Sequence, residues 1–389
     1  MSKLAIFLSD LDGGGAERVM LNLALGFVQQ GIELDLVLAR KVGPYLSQIP
    51  PQVRVIDLQE SSLMRSIPAL SKYLQQESPQ VLLSALEDTN IVAIAAKYLA
   101  RVSTPVIVTV HNNLSQESRN ATNLKRKLVP YLVRWCYPWA NGVVCVSEGV
   151  AEDLVKLGLA RKHISVIHNP ILTPELNHKL TQTIEHPWFT PGQPPVIIGV
   201  GRLNKQKDFP TLIHAFAKIR QQKHLRLILL GEGEERTNLE NLVQQLGVAE
   251  DVIFPGFVSN PYAYMRQAAV LVMSSAWEGF GNVLVEAMAA GTPVVATNCP
   301  SGPAEILADG DYGKLVSVGN SEEMAQAILE TLQEKPNIQL LQQRAMDFSL
   351  EKIVGQYQQL LQLAGTEILN FSTEANYIVS HRDKVQVKS

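Results

Sequence analysis

The sequence predicts an α/β protein built from two doubly wound parallel-sheet domains. Three observations carry that prediction. The chain has 389 residues, which favours two cores over one. Short apolar runs of strand length alternate with amphipathic stretches of helix length in both halves. A proline-rich interval with little periodicity, 171–195, separates the halves and reads as linker or loop.

The first predicted domain is 1–170. Leu4 to Leu8 is a strand, Asp12 to Gly15 a glycine turn, Ala16 to Gln30 a helix stopped by Gly31, and Leu34 to Ala39 a second strand. Gly13, Gly14 and Gly15 do not complete a dinucleotide fingerprint, because Arg18 stands where the last glycine would fall. Gly14 and Gly15 still permit close backbone approach to a ligand at the end of a strand, and both are assigned to the donor site. The alternation continues through a helix near Asn90 to Arg101 and a strand at Val106 to Val110, after which His111 sits where open sheets place ligand contacts. It can donate to a sugar hydroxyl or to an oxygen that becomes charged when a bond breaks.

The second predicted domain is 196–348. Strand Val196 to Val200 ends at Gly201-Arg202, and Lys207 precedes a helix beginning near Pro210. Two cations on one strand-to-helix loop suit a diphosphate and take the place of a divalent metal, so no metal or other cofactor is expected. The loop Gly256 to Asn260, with Val258 at its centre, lies where backbone groups can read a base.

The most informative stretch is Ser274 to Thr297. An apolar strand, Val270 to Met273, runs into Glu278-Gly279-Phe280-Gly281-Asn282, then a helix over Val283 to Ala290 with Asn282 as its expected cap. Bare backbone amides at Gly279 and Gly281, beside a helix N-terminus, form an anion site. Glu278 and Glu286 flank it, and carboxylates there suit hydroxyl-rich groups on either side of a diphosphate: a ribose and a sugar.

These residues carry a resemblance. Glu278, seven residues, then Glu286, inside EGFGNVLVEAMAAGTPVVAT, resembles the donor-site signature of the retaining glycosyltransferases of family 4, and GRLNKQKDFPTLIHAF resembles that family's Arg and Lys pair. The resemblance spans most of the chain. It implies the GT-B fold: two Rossmann-like domains facing a central cleft. It implies that Arg202 and Lys207 hold the diphosphate, Glu286 the ribose and Glu278 the donor sugar, while Gly14, Gly15 and His111 belong to the acceptor-side domain. Asp208 departs from the pattern, since many relatives have glycine after the lysine. The expected activity is metal-independent transfer, with retention, from a nucleotide sugar, with UDP as the expected nucleotide, to a hydroxyl of a glycan or lipid-linked saccharide. A nucleotide-sugar epimerase or a non-catalytic nucleotide-sugar sensor would use the same donor residues.

Segment 119–140 carries Arg119, Lys125, Arg126, Lys127 and Arg134 with no acid, beside Tyr131, Trp135 and Trp139. Either it is a helix packed between domains, or it touches an anionic membrane peripherally. A net charge of −3 gives no reason to expect nucleic acid, and the scattered Cys136, Cys145 and Cys299 suit a reducing cytoplasm. No apolar run reaches the ~20 residues of a membrane span. Ser321 is expected to cap the helix after it, helix 349–364 to pack back on the first domain, and 365–389 to form a peripheral tail.

Overall fold

The structure, a computed structural model, describes residues 3–366. Two all-parallel sheets form its centre. The first runs through β1 (Lys3–Leu8), α1 (Gly15–Gln29), β2 (Glu33–Leu38), β3 (Arg54–Asp57), α2 (Ser66–Glu77), β4 (Val81–Ala85) and α3 (Glu87–Ala100). It continues with β5 (Val106–Val110), α4 (Leu114–Asn120), α5 (Leu124–Cys136), β6 (Gly142–Cys145), α6 (Glu148–Lys156) and β7 (Ile164–Val166). The strand order is β3-β2-β1-β4-β5-β6-β7. Strands β4 and β5 are buried at every position, which is why they read as unbroken apolar runs: helices cover both faces of a parallel sheet.

After α7 (Pro174–Thr181) the second domain comprises β8 (Val196–Val200), α8 (Phe209–Arg220), β9 (Arg226–Leu230), α9 (Arg236–Gln245), β10 (Val252–Gly256), α10 (Pro261–Gln267) and β11 (Val270–Met273). Then follow α11 (Asn282–Ala290), β12 (Val294–Thr297), α12 (Pro303–Ile306), β13 (Lys314–Val316), α13 (Ser321–Thr331), α14 (Ile338–Ala345) and α15 (Leu350–Thr366). Its six strands are ordered β10-β9-β8-β11-β12-β13. Two doubly wound parallel sheets are therefore present, in the class the alternation predicts.

Helix α15 leaves the second domain and packs on the first. Leu350, Ile353, Val354 and Tyr357 share a core with β1, β2 and α1, and Tyr357 meets Phe27 edge-on at 6.4 Å. The expected tail lies outside the described residues from 367 onward.

Three local expectations are corrected. The linker interval contains α7, started by the Thr173 side chain accepting from the Leu176 amide, with Pro174 in the first turn. Asn282 does not cap α11: Gly281, at φ +102°, holds that position without a side-chain bond, and the Asn282 side chain instead accepts from Asn169 at 2.8 Å. Ser321 is the first residue of α13, whose cap is Asn320.

Candidate active site

Each sheet reverses its order beside its first strand, between β1 and β4 and between β8 and β11. Ligands of such sheets bind outside the strand ends at that reversal. The loops leaving β1, β5, β8, β10 and β11, with helix α11, carry the predicted site residues, so topology alone brings both halves of the site to the sheet edges that ligands use.

In the second domain the loops after β8 and β11 are stitched together. Lys207 Nζ donates to Glu278 Oε1 at 2.5 Å, and Ser275 Oγ donates to the same oxygen at 2.6 Å. Ser274 Oγ donates to the Lys207 carbonyl at 2.7 Å, and the Gln206 amide side chain donates to the Trp277 carbonyl at 3.0 Å. Glu278 is 6% exposed, so its charge is balanced by a cation rather than by water. Asp208 takes φ +43°, the left-handed conformation that a glycine there would adopt freely, and its carboxylate accepts from Thr211 Oγ at 2.6 Å. The departure from the family pattern thus leaves Lys207 aimed at Glu278. Arg202 is exposed and has no ion-pair partner among the described residues.

Gly279, Phe280 and Gly281 lead into α11. A Cβ on Gly279 would lie 1.9 Å from the His111 carbonyl oxygen, and Ser147 Oγ donates to the Gly279 carbonyl at 2.7 Å, so this loop docks directly on the first domain. Phe280 is buried and stacks on His168 at 5.2 Å. Because Gly281 caps α11 without a side chain, its first amides stay free for an anion. Gly14 likewise caps α1 with no side-chain bond, and Gly15 has open space around it. Val258 is half-buried in the loop after β10.

Charges cross between the domains. Burial pushes the Glu286 carboxyl up to about 7, opposed by the positive charges of Arg18 on α1 and of Lys207. The Tyr262 hydroxyl is held well above its usual range, first by Glu286 and then by burial. Arg18 lies over the Tyr45 ring at 4.1 Å and 3.7 Å from Glu175. Burial also raises the Glu17 carboxyl, with Arg202 of the facing domain pulling against it. Arg18 and Tyr262 escaped the sequence analysis. In the sequence Arg18 only spoils a glycine fingerprint, and its charge acts on Glu286 through packing between domains.

His111 is held neutral, its pKa lowered to about 4 by burial. Thr109 Oγ lies 2.8 Å from His111 Nε2 and donates to the Ser84 carbonyl at 3.0 Å. With its one proton given to Ser84, that hydroxyl accepts from Nε2–H, and Nδ1 remains an acceptor. In that tautomer Nδ1 is the ring nitrogen left for a ligand, and it accepts a hydroxyl hydrogen. Asp10, two residues before the glycine turn, accepts from Arg40 at 2.7 Å. Among the described residues no cluster of three or more His, Cys, Asp or Glu side chains is placed to hold a metal.

The profile described as "Glycosyltransferase Family 4" matches residues 13–173, and that described as "Glycosyl transferases group 1" matches residues 181–347. LpsE of Rhizobium meliloti (strain 1021), a lipopolysaccharide core biosynthesis glycosyltransferase, is 30% identical over 358 residues, covering 90% of this chain and 96% of its own. The chain is a family 4 glycosyltransferase. An N-acetylgalactosamine-N,N'-diacetylbacillosaminyl-diphospho-undecaprenol 4-alpha-N-acetylgalactosaminyltransferase of Campylobacter jejuni is 29% identical to this glycosyltransferase over 356 residues, covering 86% of this chain and 91% of that one. Among solved structures, HepE of Anabaena in complex with UDP and glucose superposes with a TM-score of 0.74 at 23% identity, covering 93% of this chain and all of that one. The galactosyltransferase WaaB, in its apo form, gives 0.70 at 20% identity, covering 93% and 98%. Both likenesses establish the GT-B fold of this glycosyltransferase.

Proposed function

We propose that this enzyme transfers a hexosyl group from a UDP sugar to a hydroxyl of a lipid-linked saccharide, with retention of anomeric configuration and without a metal. The observation that carries the proposal is the Lys207–Glu278 pair, set at the bare N-terminus of α11 and facing His111 across the domain contact. Support for the donor comes from HepE, solved with UDP and glucose. Support for the acceptor comes from the Campylobacter relative, whose name gives a diphospho-undecaprenol saccharide as its substrate.

In this reading the diphosphate lies against the amides of α11, with Arg202 and Lys207 balancing its charge. Glu286 takes the ribose, and Glu278 passes from Lys207 to a hydroxyl of the donor sugar. The bond from the anomeric carbon to the diphosphate oxygen breaks. The acceptor oxygen bonds to that carbon on the same face, and its proton goes to the departing diphosphate oxygen. His111 Nδ1 accepts from a sugar hydroxyl and orients it. Charge stabilisation then falls to the two cations and the helix amides, fixed before the reaction begins.

The test is transfer from UDP sugars to a lipid-linked saccharide in excess EDTA, with the new linkage assigned by NMR. Retained configuration and full activity in EDTA are expected. Inversion, or loss of turnover restored by magnesium, overturns the proposal.

A further inference from the structure

We infer that helix α5 is a membrane-docking element that lays an apolar stripe, flanked by cations, into the surface of an anionic bilayer. The stripe is not part of any core. Leu124, Tyr131 and Trp135 are 70%, 66% and 76% exposed, and Leu128, Leu132 and Trp139 are exposed as well. A helix packed between domains would have buried these side chains, so that alternative is set aside; the helix instead buries Val129, Pro130 and Val133.

At about 100° per residue, Leu124, Leu128, Tyr131 and Trp135 fall within a sector about 60° wide, with Leu132 at its margin. The buried residues lie opposite. Lys125 borders the stripe on one side, Lys127 and Arg134 on the other. Tyr98 and Leu99 at the end of α3 are exposed too, and Tyr98 meets Trp139 edge-on at 5.2 Å. A contiguous apolar surface of this kind marks an interaction site. Charge selects the occupant: segment 119–140 has five cations and no acid, and aromatic side chains beside Lys and Arg match the headgroup layer of an anionic membrane. Among the described residues no helix is long and apolar enough to cross a bilayer, so contact through α5 is lateral.

The stripe is joined to the cleft. Asn112, next to His111, donates to Glu117 Oε2 at 2.9 Å, and Arg126 of α5 donates to Glu117 Oε1 at 2.5 Å. Since β5 ends at the cleft edge and the parallel β6 starts at the opposite edge, α5 descends from the cleft, and its Leu124 end lies nearest the site. A bilayer against α5 therefore lies beside the cleft mouth. A lipid-linked acceptor would keep its lipid in the membrane while its saccharide reaches His111; that role, though not the docking itself, rests on the acceptor proposed above.

The test is sedimentation of the full chain with phosphatidylglycerol-containing vesicles and with pure phosphatidylcholine vesicles. The wild type is expected to pellet with the former and stay in solution with the latter, and raised salt should weaken its binding. Lys125→Gln with Lys127→Gln should lower partitioning by roughly 25-fold, about fivefold per cation. Trp135→Ser should lower it as well, with all variants melting like the wild type and transferring normally to a lipid-free saccharide. A wild type that ignores anionic vesicles, or variants that pellet unchanged, would overturn the inference. So would a wild-type dimer in solution that Trp135→Ser converts to monomer. Vesicle binding without any transfer to a soluble acceptor would instead count against the proposed activity.

Discussion

The carbonyl oxygen of His111 occupies the place a side chain on Gly279 would need: an added Cβ would sit 1.9 Å away. Backbone from the donor domain and backbone from the facing domain touch at the centre of the site. Gly279→Ala should force the loops apart and lower kcat/KM by at least about 10²-fold, the cost of displacing positioned groups by an ångström. Steady-state kinetics and a thermal melt check this; a variant with normal kinetics would show that the contact is not kept during turnover.

Lys207→Ala should reduce kcat by about 10²- to 10³-fold, as expected for removing one preorganised charge from a site where negative charge develops. Single-turnover kinetics with saturating donor make the measurement. Lys207→Arg should recover only part of the rate, because the planar guanidinium does not reproduce the ammonium contact with Glu278.

Glu278→Gln and Glu286→Gln should separate cleanly. Glu278 accepts from Lys207, so Glu278→Gln releases that cation and should leave UDP affinity equal to or tighter than wild type while transfer collapses. Glu286→Gln should weaken UDP itself by about tenfold, the worth of a charge-assisted hydrogen bond. Calorimetry with UDP, beside transfer rates, decides; equal effects of both substitutions would undo the division of roles.

The raised pKa of Glu286, about 7, gives donor binding a pH dependence. Ribose hydroxyls donate to the ionised carboxylate, whose population rises from about one tenth to about nine tenths between pH 6 and pH 8. Uridine affinity should therefore rise roughly tenfold over that range in the wild type and stay flat in Glu286→Gln. Uridine is the ligand of choice because it has no phosphate titrating nearby.

Glu87 offers a test of stability rather than of catalysis. It is buried, its Oε1 has no hydrogen-bond partner among the described residues, and burial, aided by the charge of Glu117, pushes its carboxyl from the ordinary 4.5 to about 7. The folded-state value is the raised one, so below about pH 4.5 both states hold the proton and nothing is lost. Between 4.5 and 7 the unfolded chain ionises while the folded chain does not, and stability falls as pH rises. Glu87→Gln should match wild type near pH 4 and exceed it at pH 8 by up to about 3 kcal/mol. Urea unfolding at both values checks the sign.

The strands were legible because buried parallel strands are continuous apolar runs, as Val106 to Val110 shows. The α11 stretch was legible for another reason: strand, glycine turn and helix lie consecutively in the chain. The charge of Arg18 acting on Glu286 and the burial of Glu87 were not legible, since each depends on groups far apart in sequence. Helix caps failed where neighbours competed: Asn320 and Ser321 are both capping residues, and geometry chose the first. The start of α7 was marked by Thr173-Pro174 and was hidden only by the prolines around it.

The most direct measurement is the dissociation constant of UDP in excess EDTA, for wild type and for the double variant Arg202→Ala, Lys207→Ala. Protein cations that hold the diphosphate predict wild-type affinity unchanged by EDTA and a loss of at least about 10²-fold in the variant. Affinity that vanishes with EDTA, or a double variant that binds UDP as well as the wild type, would contradict that account.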